Sequence, residues 1–193
     1  MLRRAPSAPK SVPCSVIGCG TEAPATTLAL RQGLQDCFNS GKRGAFRGVS
    51  SVHSNKNEDR AFEWDCAYPS DGFLGFEDTN WLSWTDWDAN WQLECPSNEV
   101  ITHVEAKHDN GREDRQYHVM CGKAPQGMSL DVKPWGVWTN TWDNPSSVDC
   151  TADGVLVGIK TENSNKAEDR IWAYRCATLS IKAPAALVPG RVL

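Results

Sequence analysis

The chain has 193 residues, a formal net charge of −4, eight cysteines and nine tryptophans. That length suits one domain or a tight array of small units. The charge offers no global basic field to attract nucleic acid, and no apolar run approaches a membrane span, so membrane insertion is not expected.

In chain order, residues 1–33 mix Pro, Ala, Thr and Ser and predict a loosely ordered N-terminal extension. Met1 to Gly20 contains no clear signal peptide, because prolines follow Arg3 and Arg4 where an apolar run is needed. From residue 34 a pattern repeats. His53-Ser-Asn-Lys-Asn-Glu-Asp-Arg60, His108-Asp-Asn-Gly-Arg-Glu-Asp-Arg115 and Asn163-Ser-Asn-Lys-Ala-Glu-Asp-Arg170 stand 55 residues apart. A fixed step implies one supersecondary unit copied three times, with the copies burying a shared core. The units run over about 34–66, 79–121 and 134–176, within a domain of 34–178, followed by a C-terminal tail at 179–193.

Each unit has two clear strands. Residues 45–52, 100–107 and 155–161 are rich in Val and Ile. After each Arg the period is two: Arg60, Phe62, Trp64, Cys66; Arg115, Tyr117, Val119, Cys121; Arg170, Trp172, Tyr174, Cys176. Such alternation predicts a strand with one buried face. Between the two strands lies a polar loop with a shared Asn at 55, 110 and 165, a residue that tolerates turn conformations. Two units also carry an upstream tryptophan region, Trp81, Trp84, Trp87, Trp91 and then Trp135, Trp138, Trp142; the first unit lacks it. Adding a strand before each first cysteine and one in the Trp region gives three or four per unit. Nothing has helical periodicity. The expectation is an all-β fold with pseudo-threefold symmetry, a β-trefoil with a β-prism as the alternative.

Six cysteines occupy matched positions. The repeat makes pairing within units economical: Cys37–Cys66, Cys95–Cys121 and Cys150–Cys176, leaving Cys14–Cys19 as a fourth pair. Eight cysteines allow 105 connectivities, so the pairing rests on the repeat. Each closure is expected to stabilise by about 3–4 kcal/mol in the chain-entropy model. In a flat meander the first and third strands lie about 9–10 Å apart, too far for a disulfide. The strand before each first cysteine should therefore curl over the others or lie beside the last one. No Cys-x-x-Cys occurs and the histidines are scattered, so neither metal nor cofactor is expected. Disulfides point to an extracellular location.

The string Asp-Arg-x-aromatic-x-aromatic-x-Cys resembles the hallmark of the dermatopontin family. It stands at Asp59–Cys66 and Asp169–Cys176, and with Val119 at the second aromatic position at Asp114–Cys121. Cys95-Pro-Ser-Asn-Glu-Val100-Ile101 is also similar to a family segment. The resemblance spans about residues 34–177. It implies a secreted matrix or adhesion protein, with relatives that agglutinate by binding sugars, often acidic or sulfated ones. Expected partners are polysaccharides or glycosaminoglycan-like glycans; matrix or cell-surface proteins are the alternative, through a purely structural role, and a homo-oligomer is compatible with either.

Candidate ligand-binding residues come from the three loops: Asn55, Lys56, Glu58, Asp59 and Arg60; Asn110, Arg112, Glu113, Asp114 and Arg115; Asn165, Lys166, Glu168, Asp169 and Arg170. Carboxylates, amides and guanidinia hydrogen-bond sugar hydroxyls or, through Arg, an anion. For the Asp–Arg pairs a structural role leads: Arg opens a buried face, and an Asp can hold it in an ion pair that caps the core. Most tryptophans should be core, but not all of the cluster around Asp86 and Asp88 can point inward, so Trp84 and Trp87 join the candidates as sugar-stacking platforms. No catalytic residue is assigned. The Glu58–Asp59 pair recurs in every unit, whereas two catalytic carboxyls need different environments.

Overall fold

The computed structural model describes residues 17–18, 33–70 and 74–182. Its strands are β1 (Ile17–Gly18), β2 (Gly33–Asp36), β3 (Phe38–Asn39), β4 (Lys42–Arg43), β5 (Ala45–Ser54), β6 (Asp59–Pro69) and β7 (Glu77–Trp81). They continue with β8 (Trp91–Glu94), β9 (Glu99–Asp109), β10 (Asp114–Lys123), β11 (Met128–Val132), β12 (Ser146–Asp149), β13 (Gly154–Ser164) and β14 (Asp169–Ile181). The described residues contain no helix.

Long hairpins form the body: β5–β6, β9–β10 and β13–β14. Their period-two patterns place Phe62, Tyr117 and Trp172 inward, each at most 4% exposed. Each hairpin gains a strand on either side, giving the four-stranded antiparallel orders β1-β6-β5-β12, β2-β9-β10-β7 and β11-β14-β13-β8. These three four-stranded sheets meet the all-β expectation and are compatible with a trefoil-like or a prism-like arrangement. A small ribbon, β3–β4, stands apart.

The units are laced in a cycle. The strand before each first cysteine leaves its own unit: β2 pairs with β9, β8 with β13 and β12 with β5. The disulfide distance is thus met by neither curling over nor lying beside a strand of the same unit. The strand crosses to the neighbour's sheet, and the cysteine after it turns back. Cys37–Cys66, Cys95–Cys121 and Cys150–Cys176 form with Cα separations of 5.6, 5.6 and 5.5 Å. Cys14 and Cys19 lie outside the described residues.

A register shift marks the same place in each hairpin, between Phe46 and Gly48, between Met120 and Cys121 opposite Thr102, and between Leu156 and Gly158. A bulge frees a carbonyl from its ladder. Here the freed groups are used: Cys150 N–H donates to Arg47 O at 3.0 Å, Cys37 N–H to Thr102 O at 3.2 Å and Cys95 N–H to Val157 O at 2.9 Å. Each bulge therefore anchors the disulfide of the preceding unit.

On the pseudo-axis one aromatic from each unit meets the other two. Phe62–Tyr117, Phe62–Trp172 and Tyr117–Trp172 pack edge to face with centroids 6.1, 5.2 and 5.4 Å apart. Edge-to-face contact matches the ring quadrupoles. A second apolar cluster contains Phe76, Val100, Met128, Val155 and Leu179. Leu179 is buried and pairs with Leu130, so β14 runs past the expected domain end at 178.

Candidate functional site

The three hairpin turns converge above the aromatic triad. Each turn closes by one backbone bond: Asn57 N–H to Ser54 O, Arg112 N–H to Asp109 O and Ala167 N–H to Ser164 O. The next residue in each is left-handed, and in each it is glutamate: Glu58, Glu113 and Glu168, with φ of 49°, 52° and 49°. Glycine adopts this conformation most readily; a side chain there costs on the order of 1–2 kcal/mol. The three glutamates meet on the axis, with one carboxylate oxygen of each within 4.8 Å of those of the other two. A shared hydrogen bond with Glu113 and then burial raise the Glu58 pKa above its ordinary value, because the neutral form relieves like-charge repulsion.

Below the glutamates lies a closed ring of ion pairs in which each arginine grips the aspartate of another unit. Arg60 donates Nε–H to Asp169 Oδ1 at 2.8 Å and Nη2–H to Oδ2 at 2.7 Å. Arg115 does the same to Asp59 at 2.5 and 2.6 Å, and Arg170 to Asp114 at 2.8 and 2.7 Å. Bidentate Arg–carboxylate pairing fixes both partners. Burial works against the Arg115 charge, but the Asp59 carboxylate outweighs it, and the net shift is upward. The tryptophan-region loops complete the shell. Asp88 N–H and Asp143 N–H donate to Asp114 and Asp169, while Arg170 reaches Ala89 O and Arg60 reaches Asn144 O. His53 Nδ1 stands 3.3 Å from Asp169, and His108 Nδ1 3.6 Å from Asp59. A cavity of about 20 Å³ lies between the ring and Tyr117 and Trp172.

Arg60, Arg115 and Arg170, buried and paired, thus lie beneath the surface that a large ligand meets, together with Asp114 and Asp169. Asp59 belongs to the same ring and is partly exposed, while the other loop candidates rim the cap. Asn55, Lys56, Asn110, Arg112, Asn165 and Lys166 are exposed in the turns, and the glutamates are partly exposed. Between the turns of units 2 and 3 opens a groove of about 590 Å³ lined by Asp88, Asp109, Gly111, Arg112, Glu113, Asp114, Asn163, Asn165 and Glu168.

The two tryptophan candidates separate. Trp87 lies beside the groove, its ring 5.9 Å from the Arg112 guanidinium, which is also 3.6 Å from Asp88. Trp84 stands in a stack with His118 and Lys107. Sequence reasoning missed Asp88, Asp109 and Asn163 as groove residues. Asp109 carried a signal: it opens the turn, and its Oδ1 accepts the N–H groups of Gly111 and Arg112 at 2.8 and 3.1 Å, a local habit of Asp before glycine. Asp88 was legible as a polar neighbour of the tryptophan cluster but not as a groove residue, since its place there depends on contact with another strand's aspartate.

Fold and cap together define a small all-β, disulfide-bonded module of three laced units that presents a polar cap on its pseudo-axis. The chain belongs to the dermatopontin family, whose sequence pattern matches residues 35–181. It is 32% identical over 144 residues to the hemagglutinin/amebocyte aggregation factor of Limulus polyphemus, covering 72% of this chain and 79% of that protein. It is 33% identical over 126 residues to Millepora cytotoxin-1 of Millepora dichotoma, covering 64% of this chain and 54% of that protein. It is 31% identical over 91 residues to dermatopontin of Biomphalaria glabrata, covering 47% of this chain and 60% of that protein. No solved structure matches the chain. Neither the family name nor these names describes an enzyme.

Proposed function

We propose that the protein is an extracellular carbohydrate-binding or matrix-adhesion protein that engages polysaccharides through the hairpin cap. The observation that carries this reading is the cap groove, where carboxylates, amides and one arginine converge from two units around about 590 Å³. Such groups hydrogen-bond the hydroxyls of a sugar ring, and Trp87 beside them offers a face for stacking. The similarity to a hemagglutinin/amebocyte aggregation factor supports the reading. Three intra-unit disulfides support an oxidising, extracellular setting.

The charge of the cap refines the ligand. The Asp–Arg ring is neutralised within itself, and the groove lining has more carboxylates than cations. A sulfate or uronate would therefore be met at the rim, by Lys56, Arg112 or Lys166, while neutral hydroxyls enter the groove. Weak contacts repeated on three turns favour polymers over monosaccharides. A glycan array on the native protein, run at low and high salt, tests this. Strong signals on polymeric glycans that weaken with salt are expected. Binding to no glycan would leave protein contacts as the route to adhesion.

A further inference from the structure

Four tryptophans outside the core, Trp81, Trp84, Trp135 and Trp138, form two stacks that the cap does not use. In unit 2 the His118 ring lies between Trp81 and Trp84, with centroids 4.3 and 4.6 Å away, and Lys107 Nζ sits 3.8 Å from the Trp84 ring. In unit 3 Lys160 Nζ lies 5.1 Å from Trp135 and 5.2 Å from Trp138. Both are ladders of indoles alternating with a basic side chain. Both start on Trp-x-x-Trp: Trp81-Leu-Ser-Trp84 and Trp135-Gly-Val-Trp138. That spacing is the acceptor signature of secretory-pathway transferases that join mannose to the indole C2 carbon of the first tryptophan.

We propose that Trp81 and Trp135 are C-mannosylated. The proposal rests on the extracellular reading above, since the donor, a polyprenyl-phosphate mannose, occupies the export compartment. In the reaction the indole C2 attacks the anomeric carbon. A carbon–carbon bond forms, the anomeric C–O bond to phosphate breaks, polyprenyl phosphate leaves, and the C2 proton passes to a base.

The fold accommodates the product. A ladder covers the faces of an indole and leaves its edge, where C2 lies. Trp81 is 37% exposed. The Trp135 ring is set by Gly158, where a Cβ would come within 2.8 Å of Cη2 and 3.1 Å of Cζ2. The benzo edge therefore faces the sheet, and the C2 carbon lies at the opposite end of the ring. Trp84 also starts a Trp-x-x-Trp, with Trp87, and it too lies in a stack, with His118 and Lys107; the acceptor in each ladder is its first tryptophan. By contrast Trp172, 2% exposed, Trp64 and Trp91 pack in the core, where a hexose has no room. None of these three starts a Trp-x-x-Trp. The acceptor spacing is thus confined to the outer faces.

The test is peptide mapping of the full chain, secreted behind a leader from mammalian cells, with mass spectrometry of the peptides containing Trp81 and Trp135. Each should carry one hexose that fragments with the indole and survives both N-glycosidase and base. Trp138→Phe should lose the hexose at Trp135 and keep it at Trp81. Unmodified tryptophans in the secreted, disulfide-bonded protein would overturn the proposal while leaving the extracellular reading intact. So would a base-labile hexose, which belongs on Ser83 or Thr139, or a Trp138→Phe protein still marked at Trp135. Glycan binding by the cap is read separately, on the array.

Discussion

The axis and the outer faces of this protein are built from the same three units, yet they differ in how strictly the units agree. On the axis every position is repeated: glutamate, aspartate, arginine, then an aromatic. On the outer faces unit 2 has Trp81, His118 and Trp84, unit 3 has Trp135, Lys160 and Trp138, and unit 1 has no such tryptophans. The reason is contact. An axial side chain touches its own counterparts: Asp59 holds Arg115, Asp114 holds Arg170 and Asp169 holds Arg60. A change in one unit strands a charge in another. An outer side chain meets only its own sheet and solvent, so each unit's face can vary alone.

This contrast has graded consequences. Arg60→Ala leaves the Asp169 carboxylate, almost fully buried, without its guanidinium. A loss of about 3–5 kcal/mol is expected in urea unfolding; a loss no larger than that of an exposed residue would mean that the ring does not hold the units together. Removing one staple, Cys95→Ala with Cys121→Ala, should cost about 2–5 kcal/mol, measured in the same way. On the outer face Lys160→Ala removes a cation shared by two indoles and should cost only about 0.5–1 kcal/mol. A larger loss would place the ladder among the structural elements.

The smallest effect concerns the glutamate triad. The native Glu58 pKa is raised above its ordinary 4.5, so the folded protein holds that proton more tightly than the unfolded chain. The resulting stability is fully present below the ordinary value and is lost as pH rises through the raised one. Glu58→Gln should flatten that segment of the melting-temperature profile and lift the neutral-pH end, where three carboxylates otherwise repel. An unchanged profile would show that the triad is too well solvated to matter.

Much of this was legible in the sequence because the repeat is a physical constraint. Period-two patterning placed Phe62, Tyr117 and Trp172 inward, and matched cysteines gave the three disulfides. The Asp–Arg motif was readable as a core cap but not as a ring. Sequence places Asp169 beside Arg170, whereas the structure pairs Asp169 with Arg60 in another unit, and nothing local encodes that exchange. The lacing of β2, β8 and β12 into neighbouring sheets was missed for the same reason. Each of these strands has four residues and little buried surface of its own, so its pattern names no particular sheet, and only closure of the cycle decides.

The central claim is that the ring beneath the cap is structural while the turn residues above it bind glycan. Replacing Lys56, Arg112 and Lys166 together by alanine tests it most directly, with binding to an immobilised acidic polysaccharide and the melting temperature measured on one sample. All three side chains are exposed, so the account predicts an unchanged melting temperature and loss of the salt-sensitive binding. Unchanged binding by the folded triple variant would contradict it.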